Sequence, residues 1–212
     1  MKFKFIISAV LAGLCSVANA QEPGDMDVGL GFSSLGPAVQ GRYVFSENIA
    51  IRGIVSTGLS RSMNQTEDGI DYNFKGNIGG VAILGDYHIM GGNFLVSGGL
   101  LSSRVGIDLS ANLANQDFGD QIGVTGKVSG KAEFKNKTSP LVSVGYKRNL
   151  TDSFIIRGDL GAIMTGGFVL SASTDIAQVT QADIDKELAK TRDDLSKLTV
   201  YPFISITASY TF

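Results

Sequence analysis

The 212 residues hold one cysteine, one histidine and four prolines. After the first twenty positions no apolar run is long enough for a membrane-spanning helix. Each shortage excludes something. The lone cysteine, Cys15, falls in the segment that reads as an export leader, so a processed chain has no thiol and disulfides cannot staple it. The lone histidine, His88, has no imidazole partner, and a metal site needs several clustered ligands, so neither metal nor cofactor is expected. Charge of either sign is also in short supply: 18 Lys and Arg against 20 Asp and Glu, a formal net charge of −2. Losing Lys2 and Lys4 with the leader takes that from −2 to about −4, which argues against a nucleic-acid partner. Without an apolar helix, a place in a membrane requires a closed sheet, because open edges leave backbone groups unpaired in hydrocarbon.

What is abundant fits such a sheet. Glycine occurs 27 times, which weakens a helix bundle but suits a tightly curved sheet with a crowded interior. Lys2 and Lys4 precede an apolar stretch from Phe5 to Val17, and Ala18-Asn19-Ala20 is an A-x-A cleavage site. Cys15 raises a lipoprotein reading, but Leu14 stands where such signals want a small residue, so residues 1–20 are expected to leave as a signal peptide. Residues 21–212, about 190 residues, are enough for one domain. The other end is a strand with two unlike faces. Ile204, Ile206, Ala208, Tyr210 and Phe212 alternate with Ser205, Thr207, Ser209 and Thr211. Such a terminal strand reads as the closing strand of a transmembrane barrel, and Tyr210 and Phe212 are its candidate signal to the barrel-assembly machinery.

Between these ends the alternation predicts seven more strands: Met26–Ser33, Ala38–Phe45, Ile49–Arg61, Ile70–Tyr87, a fifth from Asn93 to Leu109, Pro140–Arg148 and Ser153–Met164. In the fourth, Tyr72, Phe74, Ile78, Ala82 and Leu84 are expected on the apolar face, although Val81 and Ile83 blur the pattern. In the fifth, the phase slips at Val105, and a bulge over Leu101–Arg104 would explain it. The predicted architecture is all-β, an eight-stranded antiparallel transmembrane barrel. Ser46–Asn48, His88–Gly92 and Asn149–Asp152 are its short turns. Asn64–Gly69, Asn112–Asn136 and Gly166–Thr199 are its outward loops, with a small hairpin around Gln121–Phe134. Phe168–Ser173 can be read as an extra strand, and that would shift the parity. From Ile176 to Leu198 the spacing turns helical and amphipathic, predicting one helix before the last strand that covers or flanks a barrel mouth.

Several segments carry a resemblance. They are Asp86-Tyr87-His88 with Gly91-Gly92-Asn93-Phe94, then Ser97-Gly98-Gly99-Leu100, Pro140-Leu-Val-Ser-Val-Gly-Tyr146, Arg157-Gly-Asp-Leu-Gly161, and the charged helix running into Tyr201-Pro202. On these the chain resembles a family of small bacterial outer-membrane β-barrel proteins of unassigned function, in the OmpA and OmpW size class. Thr211 departs from the aromatic or positive residue often found before the last Phe. The resemblance implies the outer membrane of a Gram-negative bacterium and a barrel fold, and it offers no catalytic residues. Expected partners are outer-membrane lipids and lipopolysaccharide together with the assembly machinery, and the expected state is a monomer.

Arg42, Arg52, Lys75, Asp86, Arg157 and Asp159 fall on predicted inward faces. Charges inside a narrow barrel pair with one another, so these six are the candidate interior polar network. A structural or surface-interaction role follows. The competing readings are a narrow channel or carrier for small or apolar solutes, whose lining charges would select the solute, and a lipid A-modifying enzyme. Enzymatic activity is not expected: Asp86 and His88 could share a strand face, but a nucleophile, a base and an orienting acid must come together.

Overall fold

The computed structural model describes residues 22–67, 70–118 and 121–212. The export leader and its cleavage site lie outside the described residues. The chain forms β1 (Met26–Ser33), β2 (Gly36–Ser46), β3 (Ile49–Glu67), β4 (Ile70–His88), β5 (Phe94–Ser103), β6 (Gly106–Phe118), β7 (Gln121–Phe134), β8 (Thr138–Asn149), β9 (Phe154–Met164) and β10 (Phe168–Thr174). Helix α1 (Gln181–Ser196) and β11 (Val200–Thr211) complete it. Every pairing is antiparallel. Strands β1, β2, β3, β4, β5, β8, β9 and β11 follow one another round a closed barrel, sealed where β1 meets β11 from Asp27↔Thr211 to Ser33↔Ser205. At that seam a Cβ on Gly31 would run into the carbonyl oxygen of Ile206, so only glycine permits this closeness.

These eight strands are the expected ones, and the barrel is closed. The start of β1, the end of β11 and the turns after β2, β4 and β8 share one end of it, hereafter the turn end. The other end differs from the loops expected there. β3 and β4 run on past the barrel as one long hairpin, pairing from Leu59↔Ile78 to Glu67↔Ile70, so residues 64–67 are strand. β6 adds to the upper half of β4, β7 to β6, and β10 to β7. The segment expected to fold as a small hairpin is thus one arm, β7, of a larger one, and Phe168–Thr174 is a strand outside the barrel wall. The phase slip at Val105 is also not a bulge. β5 pairs with β4 from Gly80 to His88, then the chain crosses and β6 pairs with β4 from Asp71 to Asn77. A bulge does lie in β3, between Ser56 and Leu59.

Inside the barrel region the outward side chains are apolar and uncovered. Leu30, Phe32, Ile83, Leu100, Leu160 and Ile206 are each more than half exposed. Aromatic pairs ring the turn end: Tyr43–Phe45, Phe94–Tyr146, Phe154–Tyr210 and Tyr210–Phe212, with centroids 4.8–5.3 Å apart. An apolar band bounded by an aromatic girdle is the surface that hydrocarbon and its interface select. Replacing Ile206 by Arg at this band is expected to oppose insertion by about 2–4 kcal/mol if it lies near the midplane, whereas Thr207→Ser, on the buried face, is mild. Folding titrations into lipid vesicles read both, and equal effects would contradict the faces.

Above the barrel the polarity inverts. The alternation of β4 continues unbroken, so the face that carries Val81 and Ile83 toward the outside carries Asn77, Lys75 and Asn73 higher up. Their register partners are Asp108 and Ser110 on β6, then Lys131 and Ser129 on β7. The opposite face, continuous with the lumen side, carries Phe74, Leu109, Leu113, Val128 and Ala172. There Leu113, Val124, Ile176, Val179 and Ile184 form a second core beneath α1. Outside-polar, inside-apolar is the order of a sheet in water. The helix begins at Gln181, five residues later than expected, because Thr180 and Asp183 form a capping box: Asp183 N–H donates to Thr180 Oγ1 and Thr180 N–H to Asp183 Oδ2. The Thr180 N–H and hydroxyl, both donated to Oδ2, hold the Asp183 carboxyl below its ordinary range. α1 packs against β10, with Arg192 donating to the Leu170 carbonyl at 3.0 Å.

Candidate functional site: the barrel lumen

Inward side chains of the eight strands fill the lumen in layers. The middle layer is a charge quartet. Arg52, the fourth residue of β3, points inward on the same face as Ala50 and is fully buried. It donates to Asp159 on β9 at 2.9 Å and to Asp86 on β4 at 3.4 Å. Arg157, two residues before Asp159 on the same face, donates to Asp86 at 2.7 Å and to Asp159 at 2.9 Å. Two guanidinium groups and two carboxylates therefore alternate around a closed ring. Hydroxyls take the remaining lone pairs: Ser97 donates to Asp86 at 2.6 Å and Ser205 to Asp159 at 2.9 Å. Gly145 on β8 makes the room. A Cβ there would stand 2.7 Å from Asp159 Oδ1 and 3.0 Å from Leu95.

The layer nearer the turn end holds Arg42, paired with Asp27, and Lys147 and His88, all buried. The tautomer of His88 follows from its partners. Nδ1 lies 3.2 Å from the Gly92 carbonyl, which can only accept, so Nδ1 carries the proton. Nε2, 3.4 Å from Arg42 Nη1, is then the acceptor. Below this layer a vestibule of about 470 Å³, lined by Arg42, Lys147, Asp25 and Asp152, opens at the turn end.

The layer on the far side is apolar. Leu35, Ile54, Leu84, Leu101, Leu141, Ile163 and Phe203 come from seven different strands or turns and interlock, the last four at 1% exposure or less. Together with Ala82 they form a plug across the lumen. Ala82 and Leu84 share the face of Phe74, as the alternation predicts, but that face turns to the lumen rather than to lipid, and Val81 and Ile83 face out. Gln40 and Lys147, which stand on the polar faces of their strands in the sequence, also face the lumen, as does Asp27, for which the alternation names no face. Gln40 donates to Ser209 at 2.9 Å.

Of the six residues named for an interior network, Arg52, Asp86, Arg157 and Asp159 form the quartet and Arg42 lies in the adjoining layer. Lys75 does not join them. It is exposed on the upper part of β4, opposite Asp108, above the barrel. Its position on the polar side of a strand was legible; the end of the barrel wall at Gly80 was not. Tyr210 and Phe212 lie on the outer surface in the aromatic girdle, 43% and 80% exposed.

No family profile and no curated protein matches the sequence. Solved structures do resemble the fold. CarO2 of Acinetobacter baumannii superposes with a TM-score of 0.59 at 14% identity, covering 89% of this chain and 98% of its own. CarO of the same organism superposes with a TM-score of 0.57 at 16% identity, covering 92% and 100%. At such identity the likeness is one of fold.

Proposed function

We propose that the chain is an outer-membrane β-barrel protein with a sealed lumen and a structural or surface-interaction role. The observation that carries this reading is the double blockade of the barrel, a charge quartet capped by an apolar plug, inside a wall whose outer face suits hydrocarbon. Eight strands leave an interior that side chains can fill, and the described lumen positions are filled. A channel would need the plug and the quartet to part together, breaking the ion pairs that hold two buried arginines at once.

The same geometry supports a non-enzymatic role. Both ring nitrogens of His88 are engaged, one by a backbone carbonyl and the other by an arginine. A general base needs a free lone pair aimed at a nucleophile's proton. Ser97, buried in the same lumen, spends its proton on Asp86.

Planar bilayer recordings on the folded chain test the sealed lumen. The expected result is no conductance above that of the lipid alone. Reproducible unitary steps would restore the narrow-channel reading.

A further inference from the structure

We propose that the open edge of β3 above the barrel wall takes on one more strand, an extended segment of another polypeptide. The inference gives the surface-interaction role a partner class and rests on the outer-membrane reading above. Below its bulge, β3 is paired on both sides, to β2 as far as Ala38↔Ser56 and to β4. Above it, the nine residues from Leu59 to Glu67 keep only β4. Among the described residues no strand occupies the other side.

The ladder shows which groups are left over. His88 N–H donates to the Asn48 carbonyl, so the even-numbered residues of β4 turn their backbone toward β3. Arg104 N–H donates to the Gly79 carbonyl, so the odd-numbered ones turn away from it. Above the bulge the register is Leu59↔Ile78, which sets Leu59, Arg61, Met63 and Gln65 toward β4. Ser60, Ser62, Asn64 and Thr66 therefore point their N–H and C=O groups at the open side.

The sheet's other outer edge is closed by comparison. On β10 the Leu170 carbonyl accepts from Arg192 Nε at 3.0 Å and the Ala172 carbonyl from Gln181 Nε2 at 3.4 Å, so α1 blocks that edge. Sheet edges are ordinarily blunted by lysine, proline or a covering element. From Leu59 to Glu67 β3 carries neither lysine nor proline. Its bulge sits lower, where β3 parts from β2, and leaves the ladder above it regular.

A row of alternating donors and acceptors is matched by one kind of occupant, an extended backbone. The two faces specify its side chains. On the inner face Met63, Phe74 and Leu109 stand in one cross-strand row, each more than a third exposed, and Met63 ends that row at the open edge. On the outer face Ser62 stands beside Lys75 and Asn64 beside Asn73, whose amide donates to Asn64 at 2.6 Å. The added strand thus alternates apolar and polar residues, the apolar ones extending the Met63 row. A second copy in the same membrane does not fit. The two chains would be related by an axis along the membrane normal, and strands tilted by about 35–45° would then cross at about 70–90°.

Fluorescence anisotropy with the detergent-folded chain tests this. The probe is a labelled peptide of about ten alternating valines and threonines, which spans the edge at ~3.4 Å per residue. In the antiparallel pairing that β3 makes with both neighbours, opposed residues share a face, so the threonine N–H groups meet Ser60, Ser62, Asn64 and Thr66. Wild-type protein should bind the peptide. N-methylation of its threonines should weaken binding at least tenfold, and N-methylation of its valines should spare it. These peptides probe the ladder on the unaltered chain. Ser62→Pro takes one N–H from the open side and none from the ladder with β4, so it should keep its heat-modifiable migration and bind at least tenfold more weakly. No binding by wild-type protein, equal effects of the two methylations, or binding unchanged in folded Ser62→Pro each sinks the proposal and leaves the barrel reading standing. Light scattering that shows the chain pairing with itself, and ceasing to in Ser62→Pro, assigns the edge to a second copy instead. A chain that stays monomeric and soluble without detergent overturns the membrane reading and the choice of occupant with it.

Discussion

Asp86→Ala is expected to cost the folded barrel about 3–5 kcal/mol. The carboxylate accepts from Arg157 through two nitrogens, from Arg52 and from Ser97. Removing it leaves two buried guanidinium groups sharing the single counterion Asp159. The loss is chiefly the desolvation of a charge that has no answer, so it should shrink when the charge is removed too. The pair Asp86→Ala with Arg52→Met should be more stable than Asp86→Ala alone, because the quartet returns to neutrality around Arg157 and Asp159. Urea titration of the barrel in lipid vesicles measures each variant. Additive losses in the double variant would show that the four groups do not act as one unit.

The quartet was legible for a simple reason. Arg52, Asp86, Arg157 and Asp159 each stand on the polar side of a strand whose other side is apolar, and in a closed narrow barrel such residues have only one another to meet. Lys75 follows the same pattern but fails the second condition. Its strand outlasts the barrel, and nothing local in Ile70–Tyr87 marks the change except Gly79-Gly80, the point where β4 exchanges β5 for β6 as its partner. The extension escaped notice because its strands carry the alternation of a barrel strand with the faces exchanged. Alternation alone does not say which face meets lipid.

The plug had a signal that alternation hides. Wherever a strand crosses it, two apolar residues stand side by side: Ile54-Val55, Leu100-Leu101, Leu141-Val142, Ile163-Met164 and Phe203-Ile204. In each pair one residue is buried and the other exposed. A continuous apolar run means apolar surroundings on both faces. The run Val81-Ala82-Ile83-Leu84 therefore records lipid outside and a greasy lumen inside, where a period-two reading finds only noise.

Such a pair also supplies the sharpest comparison, between Phe203→Ala and Ile204→Ala. Phe203 is 1% exposed and packs in the plug with Leu84, Leu141 and Ile163. Truncation there leaves a cavity that the rigid barrel wall cannot close, and the expected loss is about 3–5 kcal/mol. Ile204, one residue on, is 55% exposed on the outer face. Acyl chains flow into the space its side chain leaves, so no cavity persists and the loss should be a small fraction of that at Phe203. Phe203→Leu keeps most of the volume and should cost less than about 1.5 kcal/mol. Unlike the loss at Asp86, the loss at Phe203 should be insensitive to salt, since no charge is uncovered. Urea titrations in vesicles at low and high salt separate the two kinds of loss. Equal costs at Phe203 and Ile204 would mean that the plug does not fill the lumen.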